Sequence, residues 1–266
     1  MIIDTHAHLW FPDYKSDLAE VIACAREAGV EKMIVPGTDL KSSEMAIDLA
    51  KRFPGVLYAA VGIHPEELDC KSCDHSPIVI QGSQLRELIQ KNSKYVVAVG
   101  EIGTDKFKNN GETIREQMEL MRVQGELAIE LDLPVIIHTR ESFPETWEVL
   151  LSLPKMPIGQ FHCFSVDEVA MTKVLNAGFY ISFCGNITWS KRVAKLVSLV
   201  PDERLLLETD SPFMRPRGTK VPELIGNRNE PANVLELAQK IAELRSQTLE
   251  KIEEMTTINA KRLFNI

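Results

Sequence analysis

Short runs of apolar, β-branched residues recur along this chain, each followed by a polar turn and then by apolar positions spaced for a helix. Read in order, the runs predict strands at Ile2–Asp4, Met33–Pro36, Leu57–Val61, Val96–Gly100, Val135–Ile137, Ile158–Phe161, Phe179–Phe183 and Leu205–Leu207. The helical pattern falls at 16–28, 40–52, 83–91, 111–131, 145–152, 167–176, 189–199, 231–245 and 248–263. The strand runs are continuously apolar rather than alternating, which marks parallel strands covered on both faces. Eight strands interleaved with helices, and no Gly-x-Gly-x-x-Gly turn, point to an α/β protein closed into a TIM (β/α)8 barrel rather than an open sheet. Ser16 and Asp17 are placed to cap the first helix, Gly29 to end it, and Pro231 to open the helix near 231–245.

The length of 266 residues suits one such barrel, so residues 1–266 are expected to form a single domain. With 44% hydrophobic and 26% charged residues, the chain can bury a sizeable core and remain globular. No apolar run approaches the ~18 residues of a bilayer span, and Met1-Ile2-Ile3-Asp4-Thr5-His6 lacks the basic start of a signal peptide. These features predict a cytoplasmic protein with no membrane association and no evident obligate protein partner. A net charge of −8 argues against indiscriminate nucleic-acid binding, while leaving room for a local basic rim.

Cys24, Cys70, Cys73, Cys163 and Cys184 are scattered and odd in number, which predicts reduced thiols rather than a disulfide framework. Cys70-Lys71-Ser72-Cys73, with His75 beside it, has the spacing of a metal or redox motif. No second cysteine pair completes it, so an incidental loop pair is the simpler reading.

The histidines change the picture most. Of six, five (His6, His8, His64, His138 and His162) fall at or just beyond the C-terminal end of a predicted strand. That end of a TIM barrel is where active sites are assembled. His6 and His8, two apart on an extended segment, point to the same side. Glu101 ends the fourth strand, and Asp210 follows the eighth. A set of His6, His8, His138, His162, Glu101 and Asp210 exceeds the three or four protein ligands of one catalytic zinc, so two divalent ions sharing Glu101 is the economical reading. Two such ions, roughly 3.5–4 Å apart, activate water and clamp both oxygens of a displacement. Asp210 is then the candidate to take the proton from that water. Glu208 shares parity with Asp210 and is left without a role.

The motifs Asp4-Thr5-His6-Ala7-His8, Gly62-Ile63-His64-Pro65, Gly100-Glu101-Ile102-Gly103, Ile137-His138, His162-Cys163-Phe164-Ser165, Glu208-Thr209-Asp210-Ser211-Pro212 and Arg228-Asn229-Glu230-Pro231 occur in the order seen in TatD-family nucleases. The chain resembles that family over nearly its whole length. The resemblance implies a metal-dependent amidohydrolase-type barrel, phosphodiester hydrolysis on DNA or RNA, and Mg²⁺, Zn²⁺ or Mn²⁺ as cofactor. It implies His6, His8, Glu101, His138, His162 and Asp210 as ligands, with Asp210, Glu101 and His64 catalytic and His64 also facing the substrate. Three positions depart from the family pattern: Glu66 where a second His is common, Thr104-Asp105-Lys106-Phe107-Lys108 after the bridging Glu, and Val166 in place of a Gly. They leave the ligand positions untouched and bear on substrate preference.

A nuclease would use cations near the strand ends, and Lys106, Lys108, Arg140, Arg215, Arg217, Lys220 and Arg228 are candidates. Arg140 and Arg228 adjoin motifs and are the chosen substrate-binding residues. The alternative is hydrolysis of a small amide, lactone or aminoacyl ester by the same metals. An aromatic content of 6% with no stacking stripe in the sequence weighs against sequence-tolerant single-strand binding. A non-enzymatic metal scaffold would leave six ligands at an open rim unexplained.

Overall fold

In the computed structural model, which describes residues 1–69, 78–108, 110–218 and 228–266, eight strands form one sheet in sequence order. They are β1 (Ile2–Asp4), β2 (Val30–Pro36), β3 (Leu57–Val61), β4 (Val96–Asp105), β5 (Val135–Arg140), β6 (Gly159–Phe161), β7 (Tyr180–Phe183) and β8 (Leu205–Leu207), and every neighbouring pair is parallel. Beyond the ladder, the eighth strand's segment returns to the first. Thr5 N–H donates to Leu207 O, Asp210 N–H to His6 O and His8 N–H to Ser211 O. The Asp4 carboxylate also accepts from the Thr209 amide and hydroxyl, at 3.0 and 2.6 Å. The sheet therefore closes into the TIM barrel expected from the pattern.

Nine helices are described: α1 (Leu18–Glu27), α2 (Leu40–Arg52), α3 (Ile78–Lys91), α4 (Ile114–Leu131), α5 (Phe143–Ser152), α6 (Glu168–Asn176), α7 (Lys191–Val197), α8 (Val234–Arg245) and α9 (Leu249–Phe264). Strand residues alternate between two cores. Ile3, Ile34, Ala60, Ala98, Ile136 and Leu206 pack inside the barrel with Ala260, Leu263 and Phe264 of α9, which plugs one end. Val35, Val61, Val99, Ile137, Phe161, Phe183 and Leu207 belong to the outer core beneath the helices. The expected helix ends hold in part. Gly29 follows α1 with φ of 91°, a conformation glycine adopts without strain. Asp17 stands at the N-cap of α1 but makes no capping bond. Pro231 opens a single 3-10 turn ahead of α8 rather than α8 itself.

Three strands outrun their apolar stretches. β2 begins at Val30, while β4 and β5 continue to Asp105 and Arg140 by pairing Gly103 with His138, Thr104 with Thr139 and Asp105 with Arg140. Gly103 is required there, since a Cβ would fall 1.9 Å from the His138 carbonyl oxygen. Cys70, Cys73, His75 and Lys220 lie outside the described residues. Among the described residues, no helix is long and apolar enough to cross a membrane.

Candidate metal centre

The ligand candidates converge because each strand's inward parity continues past its end. Ile136 points into the barrel and Ile137 out, so His138 turns in; Phe161 points out, so His162 turns in. Glu101 needs one further device. From Val99 to Ile102, both outward, β4 advances three residues while β5 advances two, from Val135 to Ile137. The extra residue is a bulge that resets the pleat and aims Glu101 inward, the usual work of a bulge beside an active site.

Glu101 stands at the middle of the cluster. Its Oε2 lies 3.2 Å from His6 Nε2 and 3.6 Å from His8 Nε2. Its Oε1 lies 2.7 Å from His162 Nε2, 3.0 Å from His138 Nδ1 and 3.4 Å from His64 Nε2. Asp210 Oδ1 is 3.8 Å from His6 Nε2 and 3.6 Å from His8 Nε2. The two oxygens of one carboxylate thus face two separate histidine groups. Donor atoms around an ion with ~2.0–2.2 Å bonds sit about 3–3.5 Å apart, close to these separations. The donor set, imidazole nitrogen with carboxylate oxygen, is one that divalent zinc or manganese accepts. The residues present therefore fit the ions that the sequence led us to expect.

The far nitrogens of the rings sort the histidines by tautomer. His8 Nδ1 lies 3.2 Å from the Pro36 carbonyl oxygen and must donate to it, which leaves the Nε2 lone pair for the site. His138 Nε2 lies 2.8 Å from Asp105 Oδ2, so its Nδ1 lone pair faces Glu101. Glu208 Oε1 is 3.7 Å from His162 Nδ1, too far for a hydrogen bond yet near enough to favour a proton there. Acceptors behind a ring are the usual support of metal-binding histidines. His64 is the opposite case: its Nδ1 accepts the Glu66 amide N–H at 3.2 Å, so its Nε2 carries the proton and points into the site as a donor. That separates His64 from His8, His138 and His162.

Asp105 and Glu208 are the residues that sequence reasoning missed. Glu208, fully buried, accepts from Ser182 Oγ at 2.7 Å and from the Cys163 amide. Its inward parity with Asp210 was the available signal. Asp105 sits on the polar extension of β4, which no apolar pattern marks.

Without cations the cluster holds protons in its own way. Burial opposes ionisation of Glu101, but His162, His64 and His6 around it hold its carboxyl well below the usual range. Burial, reinforced by the charge of Glu101, pushes Asp210 up to about 8 against the pull of His162. Burial and the adjacent His6 bring His8 down to about 3. For His162 burial is outweighed by Glu101 and Glu208, which raise it well above the ordinary value. Cations entering the site would displace those protons.

Around the rim, the expected cations behave differently from one another. Arg140 is exposed, and its guanidinium lies 3.5 Å from the centroid of the Phe107 ring. Lys106 pairs with Glu145 at 2.8 Å and Lys108 with Glu66 at 2.9 Å. Arg217 sits 5.1 Å over Trp189. Arg228, expected at the substrate, is engaged within the fold. Its N–H groups go to Asp17, Glu230 and the Asp13 carbonyl, its guanidinium lies 4.7 Å over Tyr14, and only 7% of its side chain is exposed. These contacts tie the late Arg-Asn-Glu-Pro motif to the start of α1.

A family profile described as TatD related DNase matches residues 3–265. An uncharacterized metal-dependent hydrolase, YabD of Bacillus subtilis, is 36% identical over all of both chains. A 3'-5' ssDNA/RNA exonuclease, TatD of Erwinia tasmaniensis, is 33% identical, again over all of both chains. Among solved structures, the TatD homologue YJJV of Escherichia coli K12 superposes with a TM-score of 0.89 at 32% identity, covering 100% of this chain and 98% of that one.

Proposed function

The chain belongs to the TatD-related DNase family, and from that premise we propose that it is a two-metal hydrolase of phosphodiester bonds in nucleic acid, built as one barrel domain over residues 1–266. The observation that carries the reading is the division of Glu101, Oε2 toward His6 and His8 and Oε1 toward His138 and His162. His6, His8, Asp210 and Glu101 would hold one ion, and Glu101, His138 and His162 the other. Bound there, Mg²⁺, Zn²⁺ or Mn²⁺ ions would polarise a phosphoryl oxygen and lower the pKa of a water. The Asp210 carboxylate, once ionised, would accept the proton of the attacking water. His64 donates its Nε2–H toward the substrate from beside Glu101 Oε1. Asp105 orients the ring of His138, and the charge of Glu208 favours a proton on His162 Nδ1.

DNA or RNA as substrate is supported by the family, by the relative of 33% identity named as an ssDNA/RNA exonuclease, and by Arg140 on the rim. Cys24, Cys163 and Cys184 are free thiols, which suits a reducing compartment such as the cytoplasm. The test is incubation of metal-loaded protein with end-labelled single-stranded DNA and RNA, alongside a panel of amides, lactones and aminoacyl esters. Nucleotide release should require a divalent ion, and Asp210→Asn should slow it by about 10²–10⁴-fold. Turnover of a small ester or amide with intact oligonucleotides would replace this reading with the small-molecule one.

A further inference from the structure

Phe107 follows β4 and is 53% exposed. A lone exposed aromatic needs no explanation, but this one is held in place. Its amide N–H donates to Asp105 Oδ1 at 2.7 Å, and the Lys106 amide donates to the Arg140 carbonyl at 3.0 Å. The Arg140 guanidinium then lies over the ring, 3.5 Å from its centroid. The same Asp105 carboxylate orients His138, so the stacked pair is anchored to the metal cluster through one side chain.

Beside the pair opens a groove of about 460 Å³, bounded by Thr139, Phe143, Ser165 and Arg192 as well. That volume falls in the ~300–1,000 Å³ range of small-ligand pockets. Thr139 adjoins His138, and Ser165 lies three residues beyond His162, so the groove leads away from the second histidine group. Among the described residues, neither Arg140 nor Arg192 has a carboxylate partner, whereas Lys106 and Lys108 do. Two acids line the groove: Asp167 turns its carboxylate to the Ala170 amide as the cap of α6, and Glu141 stands exposed next to Arg140. In a chain of net charge −8, the Arg140 guanidinium over an exposed ring and Arg192, which also donates to the Val166 carbonyl, form a local anion-and-stacking surface. The construction recurs on the loops after β7 and β8, where Trp189, 36% exposed, lies under Arg217.

We propose that this groove seats one nucleotide of a single-stranded nucleic acid, with its base stacked against the Phe107–Arg140 pair and its phosphate met by Arg140 and Arg192. The proposal rests on the nuclease reading above. Unpaired bases stack on aromatic rings and on guanidinium planes, whereas a duplex offers neither face. The seat therefore selects single strands, and Phe107 is its specificity-determining residue.

The test uses the full-length Asp210→Asn protein, loaded with divalent metal, and single-stranded oligonucleotides carrying 2-aminopurine at successive positions. Fluorescence at one position should be quenched on binding. Phe107→Leu, which keeps apolar bulk but has no ring, should restore it, while Phe107→Trp should keep the quench. Phe107→Ala should weaken binding by ~5- to 150-fold with metal content unchanged. Arg140→Gln should flatten the slope of log K against log salt by about 0.7. Unchanged affinity in Phe107→Leu, or weaker affinity with no change in quenching at any position, overturns the seat and leaves the nuclease reading standing. If the unsubstituted protein neither binds nor cleaves single-stranded DNA or RNA, the nuclease reading falls and takes the seat with it.

Discussion

Asp105→Asn isolates one link in this account, because Asp105 touches one of the two histidine groups and not the other. Its Oδ2 takes the proton of His138 Nε2 at 2.8 Å, and its Oδ1 takes the Phe107 amide N–H at 2.7 Å. An asparagine presents one oxygen and one NH₂, so it can satisfy either donor but not both. Burial opposes the charge of Asp105, yet the His138 bond holds its pKa below the ordinary value, so the carboxylate is what supports the ring. Losing the support behind a metal-binding histidine weakens metal affinity by about 10- to 100-fold, or ~1.4–2.7 kcal/mol. Losing one hydrogen bond to a charged group, ~1.5–3 kcal/mol, gives the same range by a separate route. Calorimetric titration of chelated protein with Mn²⁺ or Zn²⁺, fitted to two sites, should show one affinity falling by that factor and the other nearly constant. Equal losses at both sites, or none at either, would refute the assignment of Asp105 to His138 alone.

Two further outcomes follow from the geometry. Arg228→Ala leaves the Asp17 and Glu230 carboxylates, 11% and 5% exposed, without their partner. It should destabilise the fold by ~3–5 kcal/mol in denaturant melts while leaving the salt dependence of oligonucleotide binding unchanged; a stable variant with a flatter salt slope would make Arg228 a phosphate contact after all. Metal uptake should also depend on pH: Asp210 is pushed up to about 8 in the metal-free site, so near neutrality it carries a proton that a cation must displace. Affinity should then rise with pH between 6 and 8, with protons released in buffers of differing ionisation enthalpy; a flat profile over that range would contradict the buried, proton-holding site.

What could be read from the sequence divides along physical lines. Strands buried on both faces are continuous apolar runs, so all eight were legible, as were histidines standing where those runs stop. The polar ends of β4 and β5 were not, because Thr104, Asp105, Thr139 and Arg140 extend the ladder by pairing with each other, and polar residues carry no strand signature of their own. Asp105 was hidden for that reason. The bulge that turns Glu101 inward depends on the offset between two strands, which a single chain does not display. Arg228 was read as a phosphate ligand because it adjoins a motif; its partners within the fold, Asp17 at the N-cap of α1 and Tyr14 before it, lie some two hundred positions away. No stacking stripe shows in the linear chain, since Phe107 and Trp189 reach the rim from separate loops.

The central claim is that Glu101 joins two cation sites, and metal stoichiometry tests it most directly. Elemental analysis of the reconstituted, gel-filtered protein should approach two divalent ions per chain. Glu101→Ala, folded by circular dichroism, should lose occupancy at both sites and retain fewer than one. An unsubstituted chain that never exceeds one ion, or a Glu101→Ala variant that keeps both, would contradict the account.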